Sequence, residues 1–161
     1  MKNLLYVAVA LVAAYWIFGQ LGGGGSRVGQ RMPLVPLEYL GQDPRIPGSP
    51  LLLEFWATWC GPCRQSIPHL NRIHQTFGHR GLIVLGVTRE PRNTVVDFQR
   101  DVPMDYSVAL DPQGNLSQRL GVRGIPAAFL VNRLGEIVWQ GHPMNLTDAQ
   151  IEDLLAQKIS R

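Results

Sequence analysis

The chain has 161 residues, room for one ordinary domain with a buried core plus an appendage. Its apolar content of 45% argues against both a disordered chain and a multi-span membrane protein. The formal charge of +3 comes mostly from arginines scattered between Arg27 and Arg161, and Lys2 and Lys158 are the only lysines. That spread suits a solvated surface or weak attraction to anionic lipid, and we expect no nucleic-acid binding.

The first element in chain order is an apolar run. Met1-Lys2-Asn3 is a short positive head, and no charge follows from Leu4 to Gly19. A spanning helix needs about 20 apolar residues, and residues 4–21 meet the lower end of that range. A cleaved signal peptide would share these features, but Tyr15-Trp16-Ile17-Phe18 is bulky where a peptidase wants small residues. We therefore read residues 1–21 as an uncleaved anchor. Lys2 and the amino terminus keep its start in the cytoplasm, which puts the folded part outside the cytoplasmic membrane.

Residues 22–32 read as a flexible glycine-rich linker, and residues 33–161 as the folded domain. Prolines from Pro33 to Pro50 cut the next segment into short extended pieces, with an edge strand at Leu37–Leu40. Leu51–Ala57 is a buried strand. A helix then runs from the cysteines to Phe77, with Ile67, Leu70, Ile73 and Phe77 as its apolar stripe. Leu82–Thr88 is a second buried strand, Thr94–Arg100 a short helix and Tyr106–Leu110 a strand. Asp111-Pro112-Gln113-Gly114 is a turn, to which we assign no function, and Leu116–Leu120 is a turn or two of helix. Ala127–Asn132 and Glu136–Gln140 form a hairpin. Thr147 and Gln150 make the capping box of the last helix, with Leu146 and Ile151 as a hydrophobic staple. Strand, helix, strand, hairpin and helix imply an α/β domain with a mixed sheet flanked by helices.

Cys60 and Cys63 are the only cysteines, in Trp59-Cys60-Gly61-Pro62-Cys63. Zinc needs four ligands, and His69 and His74 follow too closely on one helix to fold back around a metal. A redox dithiol is the better reading, and we expect no metal and no cofactor beyond it. Cys60 falls at the helix N-cap, where unpaired N–H groups and the helix dipole favour a thiolate. It reads as the exposed nucleophile and Cys63, one turn inside, as the sheltered resolving thiol. Pro62 suits the first turn because it has no N–H to leave unpaired. Glu54 interrupts the apolar strand six residues before Cys60. Burial would raise its pKa and let it trade a proton with Cys63; the alternative is a carboxylate that reaches solvent or pairs with an arginine. The histidines read as surface residues, with His142 on the Pro126 side. Trp59 reads as a shield for the thiol and part of a docking surface.

The stretch from Phe55 to Arg64 resembles the active site of thioredoxin-fold proteins, and is most similar to the membrane-anchored, extracytoplasmic TlpA/ResA-like thiol–disulfide oxidoreductases. Pro68 matches the kinking proline of that family's active-site helix. Gly121-Val122-Arg123-Gly124-Ile125-Pro126 matches the segment that carries its cis-proline. The resemblance implies a thioredoxin fold, with residues 90–120 as the branch's strand–helix insertion. It also implies a Cys60–Cys63 redox disulfide, Pro126 packed against it, and an Ile125 backbone that pairs with substrate. Gly61-Pro62 between the cysteines is similar to reducing thioredoxins, at about −270 mV. The implied function is reduction of protein disulfides by a monomer, with electrons from a membrane partner, since no flavin or nicotinamide fingerprint is present. Two alternatives stay open: cytochrome c maturation by reduction of apocytochrome cysteines, and a non-catalytic binding or chaperone module. The resemblance does not extend to a peroxidase, which needs Thr where Ala57 stands.

Overall fold

A computed structural model describes residues 25–157. The anchor expected at residues 4–21 lies outside them, and no helix among the described residues is long and apolar enough to cross a membrane. The strands are β1 (Glu38–Leu40), β2 (Leu51–Phe55), β3 (Ile83–Thr88), β4 (Ser107–Leu110), β5 (Ala127–Val131) and β6 (Ile137–Gly141). The helices are α1 (Gly61–Phe77), α2 (Arg92–Asp101), α3 (Asn115–Arg119) and α4 (Asp148–Ala156). One mixed sheet runs β1-β4-β3-β2-β5-β6, with β2, β3 and β4 parallel and the others antiparallel to their neighbours. This is a thioredoxin-like α/β fold, and β4 of the expected insertion sits between β1 and β3.

The period-two alternation of β2 divides the core. Leu52 faces α1 and α4, where it joins Leu70, Ile73, Phe77, Ile151 and Leu154. Leu51, Leu53 and Phe55 face the opposite layer with Phe129, Leu116 and the chain from Met32 to Ile46. All five residues of β2 are buried, because helices or loops cover both of its faces. The helical stripe of Ile67, Leu70, Ile73 and Phe77 is buried as its spacing predicts. Thr147 and Gln150 form the expected capping box of α4.

Two expectations need correction. The linker read over 22–32 is not free at its far end. Gly29 and Met32 donate backbone hydrogen bonds to Ile137 and Gly135, Ile137 donates to Gln30, and Arg31 bridges to Glu136. The β5–β6 hairpin therefore holds residues 29–32 in place, a pairing with partners about a hundred residues away that glycine content cannot reveal. The turn at Asp111 also has a task. Its buried carboxylate accepts from the N–H groups of Asn115, Leu116 and Ser117 and so satisfies the open N-terminus of α3.

Candidate active site

The C-terminal end of β2 carries the chain straight into the site. After Phe55 come Trp56, Ala57 and the Thr58-Trp59 turn, and Cys60 then caps α1 in extended conformation (φ −84°, ψ 105°). Cys60 and Cys63 are joined as a disulfide. The Cys60 sulfur accepts from the Cys63 N–H at 3.2 Å, so the first turn of α1 points a backbone donor at it. That first turn contains no acidic residue. Cys60 keeps 5% of its surface and Cys63 none. Gly61 and Pro62 are exposed beside the disulfide, and Pro68 sits inside α1.

The register of the sheet supplies the facing wall. Phe55 pairs with Ala127, the first residue of β5, which sets Ile125-Pro126 beside the end of β2. The Ile125–Pro126 peptide is cis. Ile125 packs against the cluster of Trp56, Cys60 and Cys63. A groove of about 460 Å³ runs here between Trp59, Arg89, Glu90, Arg123, Gly124 and Ile125. Trp59 is 75% exposed, so it presents its ring to solvent and to the groove rather than to the core. It is a large exposed apolar surface beside the disulfide.

Glu54 is fully buried on the α1 side of β2. Its cross-strand partners are Gly86 and Ala128, small residues that leave room for the carboxyl. Burial raises its pKa from the ordinary 4.5 to about 8, and a hydrogen bond from Ser66 pulls weakly the other way. The alternative of a solvent-reaching or arginine-paired carboxylate therefore does not hold. The Ser66 hydroxyl lies 2.7 Å from Glu54 Oε1 and 2.7 Å from the Cys63 carbonyl oxygen. It has one proton for two acceptors. Both contacts are satisfied when Glu54 is protonated and donates to Ser66, which then donates to Cys63. The protonation of Glu54 is thus tied to the backbone of the inner cysteine through one hydroxyl.

Ser66 was not singled out in the sequence, although its spacing of three from Cys63 places it on the same helical face. Glu90 was missed as well. Its carboxylate accepts from the Thr58 N–H at 2.6 Å and the Thr58 hydroxyl at 2.7 Å, and so ties the loop before Cys60 to the end of β3. A carboxylate–amide bond contributes about 1.5–3 kcal/mol. Glu90→Ala should lower stability by about that much and raise KM more than it lowers kcat, because Trp59 and Cys60 lose their fixed position. Equal changes in the two constants would place Glu90 outside substrate docking.

The histidines are not gathered at the disulfide. His79 is exposed, whereas His69 and His74 are half-buried, which corrects their reading as plain surface residues. Burial and then the Arg72 guanidinium lower the pKa of His69. His142 accepts from the Met144 N–H and caps a short 3-10 turn. No three of His, Cys, Asp or Glu converge on one point among the described residues.

Comparison with known proteins agrees with this geometry. Residues 42–140 match the AhpC/TSA family. The thiol-disulfide oxidoreductase ResA of Halalkalibacterium halodurans is 28% identical over 111 residues, which cover 68% of this chain but only 62% of that protein. The thiol:disulfide interchange protein DsbE of Tatumella citrea is 31% identical over 157 residues, 84% of this chain and 83% of that one. A crystal structure from Chlorobium tepidum, assigned as a thiol:disulfide interchange protein DsbE, superposes with a TM-score of 0.74 at 30% identity. It covers 82% of this chain and all of that one.

Proposed function

Because the chain belongs to the AhpC/TSA family, in its ResA-like branch, we propose that it is a thiol–disulfide oxidoreductase that reduces protein disulfides through Cys60 and Cys63. The observation that carries this reading is the Cys60–Cys63 disulfide at the start of α1, packed beside Ile125 of the cis Ile125–Pro126 segment, with the Trp59-lined groove alongside. In the reduced protein the Cys60 thiolate attacks one sulfur of a substrate disulfide. The other substrate sulfur leaves as a thiolate, and a mixed disulfide forms. Cys63 then loses its proton and attacks the Cys60 sulfur, which releases the substrate as a dithiol and restores the Cys60–Cys63 disulfide. Two electrons have moved to the substrate.

Glu54 supplies the proton traffic. In the oxidised protein at neutral pH it holds its proton, and it can give that proton to the Cys63 sulfur when a donor thiolate opens the disulfide at Cys60. The carboxylate left behind is the base for the next resolution step. Trp59 and the groove meet the substrate, and the Ile125 backbone pairs with its extended segment. Electrons come from a thiol partner. The positive head at Lys2 and the apolar residues 4–21 support a single-pass anchor, with the domain outside the cytoplasmic membrane as a monomer.

The test uses Cys63→Ser. This variant can open a substrate disulfide but cannot resolve it, so covalent partners should accumulate on Cys60 and disappear on treatment with dithiothreitol. A bare Cys60 under oxidising conditions means a non-catalytic binding module. Trapped apocytochrome cysteines would select the cytochrome c maturation reading. A redox potential well above the glutathione poise would reverse the direction to oxidation.

A further inference from the structure

The groove beside the disulfide carries charge as well as apolar surface. Trp59, Val87 and Ile125 supply apolar lining, and its charged lining residues are Arg89, Arg123 and Glu90. Glu90 is already engaged, because its two carboxylate oxygens accept from the Thr58 N–H at 2.6 Å and the Thr58 hydroxyl at 2.7 Å. Both arginines are exposed. Arg72, Arg80, Arg92 and Arg100 each pair with a carboxylate, whereas no ion pair or hydrogen bond among the described residues engages the Arg89 guanidinium. Gly114 makes room for it. A Cβ there would lie 2.9 Å from Arg89 Nε and 3.1 Å from Ser117 Oγ, so the Arg89 side chain lies along the wall that Ser117 also lines. Positive charge beside exposed apolar surface fits a segment that joins an apolar side chain to a carboxylate. A lysine in that place would meet like charge.

We propose that Arg89 and Arg123 are specificity residues of the disulfide exchange, and that the groove takes a polypeptide segment with an aspartate or glutamate close to its disulfide. The inference rests on the proposed reduction of protein disulfides and says which of them are favoured. Cys60 and Cys63 perform the exchange, and the arginines rank its substrates. An exposed charge pair changes an equilibrium by about fivefold at most, so the selectivity is a ratio rather than an absolute choice. The net charge of +3 would draw any acidic peptide weakly, so selectivity that belongs to the groove must follow these two positions.

The experiment compares two peptides, each closed by a disulfide and identical except for Asp or Lys beside one cysteine. With the full chain in its reduced form, the Asp peptide should be favoured about tenfold in kcat/KM, about threefold gained by the acid and about threefold lost by the base. Arg89→Ala should lower that ratio to about threefold, and Arg89→Glu combined with Arg123→Glu should invert it. Arg100→Ala removes an exposed arginine of α2 outside the groove and should leave the ratio at its wild-type value. The same peptides with Ser in place of Cys cannot exchange. Their Kd ratio on the oxidised chain, read by NMR titration, repeats the comparison without chemistry. Absent turnover with a Kd ratio that still follows Arg89 would refute the oxidoreductase reading and leave the groove's preference standing. A wild-type ratio near one, a ratio unmoved by Arg89→Ala, or an equal loss in Arg100→Ala overturns the proposal. Peptides treated alike while Arg89→Ala slows the reduction of oxidised glutathione would give the groove to a small anionic disulfide instead.

Discussion

Cys60→Ser should lose disulfide exchange by about 10⁴-fold or more, the scale on which removal of a covalent nucleophile is felt. The folded protein should remain. Ser is among the most favoured N-cap residues, so it can take over the Cys63 N–H that the Cys60 sulfur now receives at 3.2 Å. Loss of activity and loss of structure are thereby separated, and circular dichroism with a thermal melt checks the second. Cys63 cannot replace the missing sulfur. It has no exposed surface, and its flank inside α1 is occupied by Ile67, Ser66 and the Trp56 cluster. The paired variant Cys63→Ser should behave differently, with a first half-reaction near the wild-type rate followed by arrest. Single-turnover kinetics with a disulfide peptide distinguishes the two. Rapid covalent capture by Cys60→Ser, with none by Cys63→Ser, would exchange the roles assigned to the sulfurs.

How much of this site was readable in advance depended on sequence distance. The two cysteines, Pro62 and Pro68 lie within one helix, where spacing alone fixes relative position. Glu54 stood out because it interrupts five residues that are otherwise apolar, and the strand is buried on both sides as that run implies. Ile125-Pro126 became visible only through family resemblance, and the β2–β5 register then brought it to the disulfide. Other contacts had no local signal. Glu90 meets Thr58 across 32 residues because β3 ends beside the loop that follows β2. Gly86 lies inside the strand read over Leu82–Thr88, and only the β2–β3 register sets it opposite Glu54. Pattern finds elements, but which side chains share a pocket is decided by pairing between elements.

Glu54→Gln is expected to make the protein both slower and more stable, and the two effects have one cause. The folded carboxyl titrates at about 8, against an ordinary 4.5, because burial penalises its charge. Between those two values the unfolded chain has released the proton and the folded chain still holds it. The unfolded state then binds fewer protons, so stability must fall as pH rises, by about 1.4 kcal/mol per unit for one proton. The penalty is absent below pH 4.5 and complete above about 8. Across that window it amounts to about 5 kcal/mol. Gln does not titrate and its amide N–H can still donate to Ser66, so its stability should stay level over the same range apart from changes common to both proteins. The difference between the two urea midpoints, measured on oxidised protein, should therefore be small at pH 4.5 and grow to its full size near pH 8. Parallel curves would remove the burial penalty from the account. The rate moves the opposite way: without a proton to give or take, disulfide exchange should slow by about 10²-fold, the lower end of what general acid–base catalysis supplies. A buried acid that contributed only to the fold would not be expected to destabilise it at the pH where it works. The proposed proton exchange accounts for keeping an acid whose burial costs stability, and a Glu54→Gln variant that gained stability without losing rate would remove Glu54 from that exchange.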